Sequence, residues 1–159
     1  MSRTAAPLSL SALVELVQDL AADPSTWAPR LERHPDRRWW TRLAGDDTVD
    51  VWLITWPGGG STDLHDHGSS SAAFTVVEGV LEEVRPEPSG GLEAADLREG
   101  QVQWVAPGVV HDVRNATSTP AASIHAYSPP LEQMTYYRRA PGGLEPAYTI
   151  TGDEPEQAW

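Results

Sequence analysis

The chain contains no cysteine, which removes disulfides, thiolate metal ligands and cysteine nucleophiles together. Any metal ligand must therefore be nitrogen or oxygen. Cations are scarce as well: 11 Lys and Arg stand against 23 Asp and Glu, for a formal net charge of −12. Such a surface repels phosphate backbones and anionic lipid, so neither nucleic acid nor a membrane is an expected partner. No apolar run approaches the roughly 18 residues of a membrane span. The N-terminus lacks the basic region, apolar stretch and small-residue cleavage site of a signal peptide, so a cytoplasmic protein is expected. The 159 residues, 40% of them hydrophobic, suit one domain with one core, expected to act as a monomer.

Leu10, Leu13, Val14, Val17, Leu20 and Ala21 recur at helical spacing after serines suited to capping, and Asp23-Pro24 closes the run. One amphipathic helix over residues 9–22 is predicted, packed on the rest of the domain and carrying no chemistry. Residues 24–38, rich in Pro and Arg, read as a loop with a short helical turn. From Trp39 the texture changes to short β-rich runs: Trp39 to Leu43, Val49 to Trp56, Ala73 to Val77, Leu81 to Arg85, Val102 to Val105, Asp112 to Asn115, Ala122 to Tyr127 and Met134 to Arg139. Turn residues such as Glu78-Gly79 and Pro107-Gly108 separate them. Strands at this spacing predict a mainly β sandwich or barrel over about 39–139. Residues 140–159 read as a loop-rich, acidic segment.

Within this frame His65-Asp66-His67 carries chemistry. On an extended segment side chains alternate faces, so the two imidazoles point one way and Asp66 the other. A third histidine, His111, follows a Pro107-Gly108 turn that aims its strand back toward the pair. Three imidazoles suit Fe, Zn, Cu or Ni about equally on ligand chemistry alone. Further on, alternation puts Ser123, His125 and Tyr127 on one strand face, where a hydroxyl, an imidazole and a phenol can form a chain of hydrogen bonds.

Gly59, His65, His67 and Gly79, followed by Gly100, Pro107, His111 and Asn115, resemble the two motifs of the cupin superfamily. Most cupins carry a glutamate ligand between the positions of His67 and Gly79. Here Ala72 occupies that stretch, leaving three protein ligands and more open positions on the metal. The HDHG, PGxxHxxxN and SxHxYSPP segments together resemble the cysteine dioxygenase family. That resemblance implies a double-stranded β-helix (jelly-roll) barrel with an N-terminal helix, and Fe(II) on His65, His67 and His111. It implies a small-molecule thiol and O2 as substrates, a sulfinic acid as product, the Ser123, His125 and Tyr127 relay as catalytic groups, and a cis bond at Ser128-Pro129. Mammalian members link a cysteine to the active-site tyrosine. Ala72 stands at that place here, so Tyr127 is expected to remain a free phenol.

The same resemblance puts Arg42 where the family binds the substrate carboxylate, with Trp40 two residues earlier. Ile54, Trp56, Met134 and Tyr127 complete the expected pocket. A guanidinium grips a carboxylate through two parallel hydrogen bonds, which glutamine cannot copy. Relatives that oxidise 3-mercaptopropionate tend to have glutamine there. The expectation is therefore a cysteine dioxygenase producing cysteine sulfinate in cysteine catabolism. The alternatives are a 3-mercaptopropionate or other small-thiol dioxygenase, and a metal-binding cupin without oxygenase activity.

Overall fold

Ser9 opens the first element by accepting a hydrogen bond from the Ala12 amide at 3.2 Å, which caps α1 (Leu10–Ala22). A computed structural model of the chain describes residues 5–155. As the sequence predicts, Asp23 ends the helix, and its side chain caps the 3₁₀ turn Pro24–Thr26, which a second turn at Ala28–Arg30 follows. Among the described residues no helix is long and apolar enough to cross a membrane.

Among the described residues ten strands follow: β1 (Trp39–Gly45), β2 (Asp50–Trp56), β3 (Ser71–Glu78), β4 (Val80–Pro86), β5 (Leu92–Arg98), β6 (Val102–Val105), β7 (Asp112–Arg114), β8 (Ala121–Ser128), β9 (Gln133–Ala140) and β10 (Gly143–Thr151). One sheet runs β1-β2-β8-β3-β6, with three-stranded β5-β4-β7 and two-stranded β10-β9 sheets beside it. The segment around His65 joins the two smaller sheets. Its bridges run from His65 to His111 on one side and to Tyr136 on the other. The Asp66 amide donates to the Thr135 carbonyl, and the Tyr137 amide to that of Leu64, both at 2.9 Å.

Side-chain alternation gives the large sheet two apolar faces. Trp52, Ile54 and Trp56 from β2, with Ala72, Phe74 and Val76 from β3, fill the barrel interior. Val51 and Leu53, with Ala73, Ile124 and Ala126, meet Leu13 and Val17 of α1 on the outer face. Burying each of those two helix side chains contributes about 1.5–3 kcal/mol. Both faces being covered, β2 and β8 are buried at every position; β2 is largely apolar on both sides of the pleat, whereas β8 carries Ser123, His125 and Tyr127 on its inner face. Between β3 and β4, Gly79 turns with φ +75°, and a Cβ there would meet the Pro120 carbonyl oxygen at 2.8 Å, so only glycine fits.

Two elements depart from the sequence reading. The segment beyond Ala140, expected to be loop-rich, contains β10, paired antiparallel with β9 along its length; residues 156–159 lie outside the described part. β5 was not expected either. Both strands are exposed at most positions, and Ala, Glu and Asp in one and Pro146 beside a register shift in the other hide the usual strand pattern.

Candidate metal centre

The backbone brings two distant histidines together first. His65 and His111 exchange amide-to-carbonyl hydrogen bonds, each 2.9 Å, so their side chains leave the pairing on the same side. Alternation adds His67 to that face. The ring centroids stand 4.9 Å (His65 to His67), 4.8 Å (His65 to His111) and 5.0 Å (His67 to His111) apart. All three side chains are buried, and one ring nitrogen from each lies within 4.8 Å of the others. Asp66 points away, accepting from the Gly68 amide at 2.9 Å and the Tyr137 hydroxyl at 2.6 Å, which fixes the loop carrying the pair.

Tautomers follow from the outer partners. His65 Nδ1 donates to the Asp63 carbonyl at 2.7 Å; Asp63 adopts φ +65°, a conformation that Asp tolerates better than most residues. His111 Nδ1 donates to a Glu83 carboxylate oxygen at 2.8 Å. Each is left with an Nε2 lone pair facing inward. His67 presents Nε2 at 3.2 Å from His65 Nε2, while its Nδ1 is buried with no hydrogen-bond partner. Desolvation by burial pushes the pKa of all three well down, His65 to about 4, so the rings are neutral at pH 7. Neutral imidazole donors converging in a dry site fit a divalent transition metal and offer nothing to a hard, oxygen-seeking cation.

The wall facing the histidines comes from β8. Ser123 is fully buried and accepts from Trp56 Nε1 at 2.9 Å. Its hydroxyl also hydrogen-bonds His125 Nε2 at 2.9 Å. His125 stacks on Phe74 at 4.8 Å, and burial lowers its pKa to about 3. The expected three-membered relay is only partly formed. It extends from Ser123 back to Trp56, whereas His125 and Tyr127 stand 6.4 Å apart between centroids with no hydrogen bond between them among the described residues. Tyr127 lies 5.2 Å from His67, and burial raises its pKa, keeping it a phenol. Ala72 is its direct cross-strand neighbour, so nothing there can form a thioether. The Ser128-Pro129 bond is cis.

Ile54, Trp56 and Met134, expected to line the pocket, lie in the barrel core, and Trp40 packs against it. Arg42 does not reach the histidines. It pairs across the sheet with Trp52, stacks its guanidinium 4.8 Å over that indole, remains 44% exposed, and is ion-paired with Asp50 at 3.5 Å and Asp153 at 3.3 Å. The arginine that enters the interior is Arg38, 2% exposed, 5.4 Å over the Trp56 ring. Burial lowers its pKa to about 10, so it stays a cation at neutral pH, and its charge acts on Tyr136, Asp63, Asp112 and Tyr127. Tyr136, 5.6 Å from His65 and pushed up to about 12 by burial, is a second phenol at the centre. Parity would have found both: Arg38 shares the pleat face of Trp40, and Tyr136 that of Met134.

Comparison with known proteins agrees with this geometry. Residues 8–140 match the family described as cysteine dioxygenase type I. Human cysteine dioxygenase type 1 is 26% identical over 128 residues, covering 74% of this chain and 64% of its own length. The chain thus spans somewhat less than two thirds of that relative. Among solved structures, a protein from Thermus thermophilus superposes with a TM-score of 0.56 at 23% identity, covering 64% of this chain and 93% of its own. A cupin superfamily protein from Desulfitobacterium hafniense gives 0.56 at 14% identity, covering 65% and 87%. These two likenesses establish the cupin fold.

Proposed function

We propose that this chain, which belongs to the cysteine dioxygenase type I family, holds Fe(II) on His65, His67 and His111 and oxidises the thiol of L-cysteine to cysteine sulfinic acid with O2. The observation that carries the reading is the convergence of three buried, neutral imidazoles on one face. Fe(II) held there would supply a site at which thiolate and O2 meet. Both oxygen atoms are added to sulfur, the thiolate becomes a sulfinate, and sulfur provides all the electrons that reduce O2. No external reductant is required.

The chain's own residues position and exclude. Trp52, Ile54, Trp56 and Phe74 are buried around the polar face of β8, keeping water from the reacting sulfur and strengthening every charge interaction inside. Tyr127 keeps its proton and can donate it to the substrate or its product. The Trp56 to Ser123 to His125 chain fixes the imidazole that stacks on Phe74, so that part of the wall is ordered in advance. For the carboxylate we assign Arg38 in place of Arg42. It is a buried guanidinium in the field of Tyr127 and Tyr136, whereas Arg42 is 44% exposed.

The engagement of Arg42 by Asp50 and Asp153 supports a second reading, 3-mercaptopropionate as substrate, because the residue expected to favour cysteine is occupied elsewhere. The test is O2 consumption by the iron-loaded protein with a panel of small thiols, with product mass measured. A sulfinate from cysteine at the highest kcat/KM is expected. Preference for 3-mercaptopropionate would select the second reading, and metal binding without thiol-dependent O2 uptake would leave a cupin that is not an oxygenase.

A further inference from the structure

Glu83 has no part in the expectations drawn from the sequence, yet it is a carboxylate 5% exposed in the interior of β4, in direct contact with the histidine cluster. Its two oxygens are separately assigned. Oε1 accepts from Arg85 Nε and from Gln103 Nε2, both at 2.8 Å, and Oε2 accepts from His111 Nδ1 at 2.8 Å and Arg85 Nη2 at 3.3 Å. Arg85 Nη2 also donates to the Trp104 carbonyl at 2.7 Å. The carboxylate is thereby tied to β6 from two directions, with one oxygen aimed at the imidazole.

This arrangement bears on a deficit within the site. Three neutral imidazoles around a divalent cation leave its charge uncompensated, and Ala72 occupies the stretch where most cupins carry a coordinating carboxylate. We propose that Glu83 is a positioning residue of the metal centre. Its Oε2 locks His111 in the Nδ1–H tautomer, so that Nε2 is the donor, and its negative charge makes that nitrogen a stronger ligand. The compensating carboxylate is displaced outward by one imidazole. Gln103 holds Oε1 alone, while Arg85 reaches both oxygens and sets a cation beside the anion, so Oε2 is shared between Arg85 and His111. The inference rests on His111 being a metal ligand, and it is independent of thiol chemistry.

Glu83→Gln keeps the shape but removes the charge and one of the two acceptor oxygens; Gln103→Leu removes a neighbouring donor and leaves the charge. With Fe(II) under anaerobic conditions and a chromophoric chelator as competitor, E83Q should lose about 10- to 100-fold in metal affinity, and Q103L no more than a few-fold. The Fe(III)/Fe(II) potential should rise in E83Q, because a nearby anion stabilises the higher charge. A carboxylate that merely ties β4 to β6 would move neither quantity beyond the effect of Q103L, and that result would overturn the proposal. Should E83Q fail to fold, the parent loaded with Zn(II) and ¹⁵N-labelled at histidine decides. A slowly exchanging proton on His111 Nδ1 supports the assignment, and metal bound through Nδ1 refutes it. A parent that binds metal tightly but oxidises no thiol would sink the dioxygenase reading and leave this one standing.

Discussion

Replacing Arg38 by glutamine separates a carboxylate clamp inside the barrel from one at its rim. Arg38 is 2% exposed and stacked over Trp56, so a substrate carboxylate meeting it is bound out of water. Truncating one partner of such a pair costs about 2–5 kcal/mol, which corresponds to roughly 30- to 5,000-fold in kcat/KM. Arg42 is 44% exposed and already shared between Asp50 and Asp153; an exposed pair is worth about 1 kcal/mol or less, so Arg42→Gln should cost no more than about five-fold. The assay is kcat/KM for O2 consumption in the parent and both variants, with cysteine and with 2-aminoethanethiol, which keeps the thiol and amine but lacks the carboxylate. R38Q should lose activity on cysteine and change little on the other thiol. A steep, cysteine-specific loss in R42Q with a mild one in R38Q would return the clamp to Arg42. Equal losses on both thiols in R38Q would show that Arg38 holds the fold and not the substrate.

Other outcomes follow from the same geometry. His111→Ala should release the metal and abolish activity while the far-ultraviolet circular dichroism is unchanged, since the strand pairing uses backbone groups; full metal content in that variant would refute its role as a ligand. Tyr127→Phe should lower turnover about 10- to 1,000-fold, the range of one oriented donor, without altering metal content, and the mass of the peptide carrying Tyr127 should show no covalent modification. The metal-free protein should lose stability on acidification. His65 is held down to about 4 by burial but protonates near 6.5 when unfolded, so its contribution is full above that pH and falls by roughly 3 kcal/mol between about 6.5 and 4. Asp50 and Asp112, whose carboxyls burial pushes up, act with the opposite sign, and a denaturation midpoint that does not move between pH 7 and 4.5 would contradict the net direction.

The histidine cluster was legible because it depends on two local rules, strand alternation at His65 and His67 and a turn before His111, both insensitive to distant sequence. The helix and eight strands were legible for the same reason. β5 and β10 were not, because they sit at sheet edges whose outer faces are wet, and neither needs the apolar alternation that marks a half-buried strand. Arg42 shows a different limit. Its place on the strand follows from its neighbours, but the end of a long side chain goes where its charge is met, and Asp153 is 111 positions away along the chain. Glu83 was passed over because a charged residue on a strand reads as solvent-facing, although it shares its pleat face with the fully buried Leu81.

Charge at the centre is arranged as an axis. Burial drives His65, His67, His111 and His125 neutral and holds Tyr127 and Tyr136 as phenols, so the groups lining the site carry no charge of their own at neutral pH. What remains is Arg38, whose field falls on His65, Tyr127 and Tyr136, and the Glu83–Arg85 ion pair behind His111, whose cation acts on His67 and His111. A ligand that joins a thiolate to a carboxylate has one orientation that satisfies both. In the proposed reading its sulfur goes to the metal that the three imidazoles would hold, and its carboxylate goes toward the Arg38 guanidinium. Orientation thus comes from attraction at Arg38, and it holds for any small thiol carboxylate, with the choice among them left to contacts around the carbon between the two ends.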